Sequence, residues 1–210
     1  MFPLAKGHVQ ITLALTTLLP IVFFYSLLYN WLIFLIPFNV LLLAGHLYFF
    51  RDPARNTLKN TNNLLAPADG KVYEILPEEG IIRIRMSLFD VHVNRWPVSG
   101  RVTEITTKSG KHWPFLPFIR RGTDENSKKI ISLTNEFGTY QIVQIVGMIA
   151  RRCVMYAKEN ENVEQGERMG MIRYGSEVDI HFPRDVYDIV VQPKDRTQAG
   201  KTVLAKTRKG

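Results

Sequence analysis

The stretch "MIRYGSEVDIHF", residues 171–182, alternates apolar and polar residues as a β-strand does, yet it carries a glycine in its interior. Glycine weakens a strand because it packs no side chain, and it usually marks a bulge, a bend or a close approach of backbone. Gly175 stands directly before Ser176. A Gly-Ser pair is weak evidence taken singly, so the rest of the sequence must explain it.

Short segments of β character continue on the N-terminal side of this stretch. They are "KVYEIL", "IIRIRM", "RVTEITT", "KIISLT", "TYQIVQIVGMIA" and "RCVMYA", followed by "EVDIHF" itself. Turn signals separate them, such as the Pro77–Gly80 stretch and the pairs Ser99-Gly100 and Phe137-Gly138. Many short strands with regular turns predict a mainly β fold, a sandwich or a barrel.

The N-terminal quarter of the chain has a different composition. No Asp, Glu, Lys or Arg occurs from Gly7 to Phe50, and the run is apolar almost throughout. Because about 20 residues cross the hydrocarbon core, the run suffices for an α-helical membrane hairpin of two short crossings that turns at Tyr29-Asn30. A secretory signal peptide is the competing interpretation, but it has a shorter apolar core than this run and is followed by a cleavage site of small residues, which is not present here. A buried helix pair or a re-entrant loop would also accommodate the run.

The expected organisation is therefore a membrane anchor at 1–50, a polar linker at 51–66 and a β domain at 67–210. Lys6 precedes the apolar run and Arg51 follows it, which places the β domain on the cytoplasmic face of the cell (inner) membrane by the positive-inside rule. The single cysteine, Cys153, forms no internal disulfide, in keeping with that compartment.

The net charge of +8 indicates an anionic partner. Next to an apolar anchor, anionic membrane lipid explains it more simply than nucleic acid, for which no motif is visible. His92, His112 and His181 are not spaced as metal ligands, so no metal is expected. The sequence leaves a homo-oligomer open.

One segment, residues 108–129, interrupts the strands with two prolines and a cluster of apolar side chains. Trp113 and Phe115 lie close in sequence to Arg120 and Arg121. We expect an interfacial loop whose apolar groups enter the acyl boundary while the arginines meet phosphates. A loop that folds back over the core is the competing interpretation.

Asp69, His92 and Ser176 are the candidates for chemistry, although each taken singly has a structural explanation. A serine nucleophile needs a base, histidine is the usual base, and an acid orients the histidine. A membrane-anchored serine hydrolase is therefore one hypothesis, but Ser176 lies outside the Gly-x-Ser-x-Gly pattern of hydrolase elbows. A non-enzymatic β-sandwich adaptor, in which Gly175 is only a bulge, is another.

Self-cleavage suits the Gly-Ser pair better. The Ser176 hydroxyl can attack the Gly175 carbonyl, and glycine leaves that attack uncrowded and permits a strained backbone. The amide becomes an ester, elimination across Cα and Cβ of Ser176 breaks the chain, and hydrolysis of the resulting dehydroalanine leaves a pyruvoyl group. Such a ketone forms a Schiff base with an amine and accepts the electron pair released on decarboxylation, the role that PLP has elsewhere.

Five ordered motifs carry a resemblance to a known family. They are "FFRDPAR", "APADGKV", "SLFDVHVNRWPVSGRV", "VQIVGMIARRCV" and "GERMGMIRYGSEVDIHFP", spread over residues 49–183. In this order the motifs resemble the short, bacterial-type branch of the phosphatidylserine decarboxylase family.

The resemblance implies a barrel-sandwich fold and a proenzyme that cleaves itself into a β chain, 1–175, and an α chain, 176–210. The α chain would begin with the pyruvoyl group made from Ser176, so no PLP is needed, and the two chains would share one core. The family's acid and histidine correspond to Asp69 and His92. In the longer branch a second histidine, tied to self-cleavage, falls where this chain has Arg95, so a part for His92 in self-cleavage is left open.

The implied activity converts phosphatidylserine to phosphatidylethanolamine in phospholipid biosynthesis, with His92 as the general acid. Arg95, Arg120 and Arg121 are expected to hold phosphate or carboxylate, and backbone amides of 147–149 to stabilise oxyanions. A serine phospholipid with other tails, such as an ether-linked one, is a rival substrate.

Overall fold

The computed structural model describes residues 9–29, 33–57, 59–111, 125–146, 153–172 and 176–208. The chain divides into two compact units, Met1–Pro53 and Ala54–Gly210. In its described part the first unit is helical, whereas the regular secondary structure of the second is almost entirely β-strand.

Two antiparallel helices form the first unit. Helix α1 spans Val9–Leu28 and helix α2 spans Leu35–Phe49. Thr12 Oγ1, near the start of α1, lies 3.0 Å from His46 Nε2, near the end of α2, so the helices run in opposite directions. The helical pair expected from the apolar run is present.

The two helices differ in length. With 20 residues, α1 is about 30 Å long and matches a hydrocarbon core. Helix α2 has 15 residues, fewer than the roughly 20 of a straight crossing. By length and composition α1 could cross a membrane. The turn expected at Tyr29-Asn30 begins just after α1, but Asn30 lies outside the described residues.

The second unit has fourteen strands in its described part. They are β1 (Asn63–Leu65), β2 (Gly70–Leu76), β3 (Ile81–Met86), β4 (Val93–Arg95), β5 (Gly100–Lys108), β6 (Lys128–Asn135), β7 (Gly138–Val146), β8 (Cys153–Met155), β9 (Asn162–Val163), β10 (Arg168–Ile172), β11 (Ser176–His181), β12 (Tyr187–Ile189), β13 (Arg196–Thr197) and β14 (Val203–Thr207). A short 3-10 helix, Pro77–Glu79, joins β2 to β3.

The largest sheet has eight strands in the order β13-β2-β3-β11-β7-β6-β5-β9, and its paired neighbours are all antiparallel. Strand β11 is paired along its whole length on both sides. Ser176 stands opposite Met86 of β3 and Val146 of β7. The residue that the sequence singles out thus begins an interior strand.

Two three-stranded sheets, β4-β10-β8 and β1-β14-β12, complete the unit. Strands from all three sheets contribute to one buried apolar core. Its members include Leu64, Ile84, Trp96, Ile142, Met169, Val178 and Leu204. The predicted mainly β fold of sandwich type, preceded by an apolar helical segment, is confirmed.

Residues that precede β2 make specific contacts in this unit. The Arg55 guanidinium donates to Asp69 Oδ2 at 2.7 Å, and β1 pairs with β14. The segment 51–66, expected from its composition to be a linker, therefore contributes an ion pair and a strand.

The C-terminal stretch contributes β11, β12, β13 and β14, so residues after Ser176 belong to two of the three sheets. A buried contact ties them to the preceding part of the chain. The hydroxyls of Tyr140 on β7 and Tyr187 on β12 lie 2.8 Å apart, and both rings are almost fully buried.

We expect Tyr140→Phe and Tyr187→Phe each to lower stability by about 1–3 kcal/mol, because each removes a hydrogen-bond partner from the other buried hydroxyl. The double variant removes both hydroxyls and should cost less than the sum of the single changes. Thermal unfolding of the full chain in detergent measures this, with Tyr73→Phe at a half-buried ring as the control. Additive losses, or no loss in either single variant, would contradict the coupling.

Candidate active site

Ser176 lies at a crossing between sheets. The chain leaves the small sheet at Ile172, the last residue of β10, and enters the large sheet at Ser176, the first residue of β11. The interpretation of 171–182 as one strand with a glycine inside is therefore wrong, because two strands of different sheets flank residues 173–175. Gly175 lies outside the described residues.

His92 lies next to this crossing. It directly precedes β4 in a fully buried position, and its backbone carbonyl accepts a hydrogen bond from the Ile172 amide at 3.3 Å. Its backbone is therefore held beside the end of β10. His92 therefore lies in the connection just before a strand.

The His92 ring has a defined tautomer. Nδ1 lies 2.9 Å from the Asp90 carbonyl oxygen, which can only accept, so Nδ1 carries the proton. In the neutral ring Nε2 then holds the lone pair and can take up a proton. A backbone carbonyl two residues away thus helps to orient the imidazole.

Three backbone contacts bring Ser176 and His92 to the same end of the fold. Ser176 is paired with Met86, Met86 is followed directly by the Ser87–Asp90 turn, and that turn leads to His92. His92 is in turn bonded to Ile172, which precedes the crossing. The backbone contacts therefore place Ser176 and His92, two of the three residues chosen from the sequence, at the same end of the β unit.

Asp69 has other partners. Its Oδ2 accepts from Arg55 at 2.7 Å and its Oδ1 accepts from the Ala199 amide at 2.7 Å. These bonds join the stretch before β2 to the C-terminal stretch. The following residue, Gly70, is required because a Cβ there would lie 2.4 Å from the Arg85 carbonyl oxygen. A catalytic part for Asp69 stays a prediction.

The arginines chosen from the sequence fall in different places. Arg95 is buried on β4, and its Nη1 donates to the Gly166 carbonyl at 2.8 Å. Arg120 and Arg121 lie outside the described residues, as do the amides of 147–149. The substrate-binding role of these arginines stays a prediction.

The structure adds a buried amide pair that the sequence analysis missed. Gln144 Nε2 on β7 donates to Asn94 Oδ1 on β4 at 2.8 Å, and both side chains are fully buried. The bond connects the small sheet to the large one. Gln144 is two residues before Val146, the partner of Ser176, and Asn94 is two residues after His92. Gln144, a glutamine among apolar residues in "TYQIVQIV", is the sequence signal that could have indicated this buried pair.

On the outer face of the sheet, Glu177 follows Ser176. It is 1% exposed and stands opposite Arg85, whose Nη2 is 3.8 Å from Glu177 Oε2. That distance is too long for a hydrogen bond. Burial, reinforced by the nearby Asp179 carboxylate and opposed by Arg85, raises the pKa of the Glu177 carboxyl to about 7.

Comparison with known proteins agrees with this geometry. The family model described as phosphatidylserine decarboxylase matches residues 42–205, which include the crossing and every described site residue. The chain belongs to the phosphatidylserine decarboxylase family. The resemblance carried by the motifs is therefore confirmed. Members of this family are carboxy-lyases.

Curated relatives support the assignment. A "Putative archaetidylserine decarboxylase proenzyme" of Methanosarcina barkeri is 42% identical over 77% of this chain and 76% of its own length. Phosphatidylserine decarboxylase proenzymes of Chlorobium limicola and Streptomyces griseus are 39% and 41% identical, over 80% and 77% of this chain and 82% and 74% of their own.

The raised pKa of Glu177 predicts a pH effect on stability. The carboxyl has an ordinary pKa of 4.5 and a folded pKa of about 7, so folding favours its protonated form. The stability that this form provides is fully present below pH 4.5 and is lost as the pH rises through 7. We expect Glu177→Gln to melt like the parent at pH 4.5 and several degrees higher at pH 8.

Melting curves of the full chain in detergent, in a Ser176→Ala background that keeps one polypeptide, provide the measurement. The exposed Glu78→Gln variant is the matched control. A difference between Glu177→Gln and its parent that does not change with pH would show that Glu177 ionises normally.

Proposed function

We propose that this protein is a proenzyme that cleaves itself between Gly175 and Ser176 and then removes the carboxyl group from the serine headgroup of phosphatidylserine, giving phosphatidylethanolamine. The observation that carries the proposal is the position of Ser176 at the start of β11, where two sheets meet beside a buried histidine. Family membership supports this function rather than a serine hydrolase or an adaptor.

The cleavage step balances without an external reagent other than water. The Ser176 hydroxyl adds to the Gly175 carbonyl, the peptide nitrogen leaves as an amine, and an ester links the two residues. Removal of the Ser176 α-proton then expels the Gly175 carboxylate. One water enters and one ammonia leaves as the nitrogen-bearing fragment becomes a ketone at position 176.

When formed, the pyruvoyl group supplies an electrophilic carbonyl that binds an amine and withdraws the electron pair released with carbon dioxide. The residues present fit such a group. Asn94 Nδ2 and Gln144 Oε1 are buried and have no hydrogen-bond partner among the described residues. They leave one donor and one acceptor near the start of β11. Asn94 is suited to holding a carbonyl or a carboxylate.

His92 is the proton carrier in this proposal. With Nδ1 donating to Asp90, Nε2 is the atom that accepts or returns a proton. The complete burial of His92 excludes bulk water. A proton that His92 delivers is therefore not exchanged with solvent before it reaches the substrate carbon that has lost carbon dioxide. The same atom could assist removal of the serine proton.

The headgroup is better supported than the tails. Relatives named for phosphatidylserine and for archaetidylserine are about equally similar to this chain. Their names share the serine headgroup and differ in the lipid. We therefore assign the headgroup chemistry to this site and retain an ether-linked serine phospholipid as the second substrate to assay.

For location we propose the cell (inner) membrane, with the β unit on the cytoplasmic face. Apolar helix α1 supports membrane association. Lys6 before it and Arg51 after α2 support a cytoplasmic orientation.

Intact mass spectrometry tests the cleavage. The wild type should give two pieces, and the piece 176–210 should be lighter by one ammonia than the same peptide starting with serine. Ser176→Ala should remain one chain, whereas Ser109→Ala, an exposed control, should cleave normally. An uncut but folded wild type would overturn the proposal.

A second prediction concerns His92. We expect His92→Gln to lower carbon dioxide release from phosphatidylserine by at least about 100-fold, because proton transfer by a positioned side chain contributes that much. His181→Gln, at a half-buried histidine on the outer face of β11, is the matched control. The extent of chain cleavage, measured alongside, separates a failure of maturation from a failure of decarboxylation. A cleaved His92→Gln enzyme within tenfold of wild type would remove His92 from the mechanism.

A further inference from the structure

The turn between β3 and β4 presents an apolar tip. Among the described residues of the β unit, the large apolar side chains exposed to solvent are Leu88, Phe89 and Val190. Leu88 and Phe89 are adjacent, and 51% and 76% of their surfaces are accessible. Single exposed apolar residues are ordinary, whereas a neighbouring pair at the end of a turn forms an apolar patch on the surface.

The turn is fixed in shape. Asp90 Oδ2 accepts from the Ser87 amide at 2.7 Å and from the Ser87 hydroxyl at 2.8 Å, and the Asp90 amide donates to the Ser87 carbonyl at 3.1 Å. The two apolar side chains are therefore held outward by bonds at the base of the turn. Order of this kind lowers the entropy cost of inserting the tip into a partner.

A cavity of about 650 Å³ opens beside the same turn. Ser87 and Asp90, which flank the apolar pair, both line it. The other lining residues are Lys71, Val72, Tyr73, Arg85, Met86, Lys194 and Arg196. Four of these nine side chains are cationic, while the one carboxylate, Asp90, is engaged by Ser87.

Sheet register brings the cations together. Lys71 on β2 stands opposite both Arg85 on β3 and Arg196 on β13, so these three share one face of the large sheet. The Arg85 guanidinium lies 3.8 Å from the centre of the Tyr73 ring, which fixes its direction. Lys194 has a backbone φ of 82°, an unusual conformation for a residue with a side chain.

The cavity has an excess of positive charge. Among the described residues, no carboxylate forms an ion pair with Lys71, Lys194 or Arg196. Arg85 has only the distant Glu177 carboxylate at 3.8 Å. A concave site with several cations and little negative charge attracts phosphate groups.

We propose that the Leu88-Phe89 tip and the adjoining basic cavity form a lipid-docking site, in which the apolar pair enters the acyl boundary of a membrane and the cations bind the phosphate of an anionic phospholipid. Apolar residues beside cations are the pattern of interfacial binding surfaces. The choice of a lipid as the source of phosphate rests on the proposed function.

The docking site is connected to the candidate active site. Asp90 ends the turn, and its carbonyl accepts the proton of His92 Nδ1. The cavity also includes Met86, the partner of Ser176 on β3. The docking site therefore adjoins the turn that leads to His92 and the strand that pairs with Ser176.

An environment-sensitive fluorophore tests the proposal independently of catalysis. The full chain carrying Ser176→Ala and Cys153→Ser receives one cysteine, Phe89→Cys or, as the control, Val190→Cys, and is labelled with a nitrobenzoxadiazole dye. Each protein is placed in lipid discs of phosphatidylcholine alone or with phosphatidylglycerol, which is anionic but has no serine. A second tip position, Leu88→Cys, guards against a local effect of the label.

We expect the label at 89 or 88 to shift to shorter wavelength and brighten when phosphatidylglycerol is present, while the label at 190 keeps the emission of a dye in water. Changing Lys71, Lys194 and Arg196 together to Gln should abolish the phosphatidylglycerol-dependent part, whereas Lys201→Gln, an exposed lysine elsewhere, should not. Thermal melts confirm that each variant is folded.

Emission typical of water at both tip positions in both kinds of disc would overturn the docking site. A shift in dye emission that persists when Lys71, Lys194 and Arg196 are changed together would show that the cavity takes no part in docking. Because the uncleaved Ser176→Ala chain forms no pyruvoyl group, these outcomes do not depend on whether the enzyme decarboxylates, and a failure here is distinguishable from a failure of the proposed function.

Discussion

The pairing of β11 on both of its edges is the constraint on which the site depends. Each of its six residues stands opposite a partner on β3 and another on β7, so Ser176 is positioned by the sheet rather than by a loop. A strand held in this way keeps its place if the covalent bond before it is cut. The Tyr140–Tyr187 contact and the pairing of β1 with β14 would further hold the C-terminal piece in the fold.

The crossing between sheets explains why a glycine suits this position. The backbone must leave β10 in the small sheet and enter β11 in the large one within three residues. A short connection between two sheets favours glycine because glycine has wide backbone freedom, and a residue without a Cβ leaves its carbonyl open to an attacking hydroxyl. Folding and the proposed self-cleavage therefore favour the same residue for different reasons.

The local sequence pattern predicted strands correctly where the strands are long and their apolar and polar residues alternate. The segment "IIRIRM" corresponds residue for residue to β3, and most of the other predicted segments fall on strands. Strands β1, β9, β12 and β13 were missed because they have two or three residues each and are defined by partners far away in sequence, and the five-residue β14 was missed as well. The bond of Asn94 to Gln144 spans 50 residues, and no local pattern reports such a contact.

The distribution of buried polar groups distinguishes the end of the fold near Ser176. Burying an amide without its full set of hydrogen bonds costs free energy, and an apolar pair of similar size would pack as well. Yet Asn94 and Gln144 lie fully buried between the sheets, and Glu177 is buried beside Ser176 with an arginine beyond hydrogen-bond distance. The apolar core around them is made of aliphatic and aromatic side chains. The chemistry proposed at Ser176 would explain these buried polar groups, because cleavage and decarboxylation both need donors, acceptors and proton carriers shielded from water.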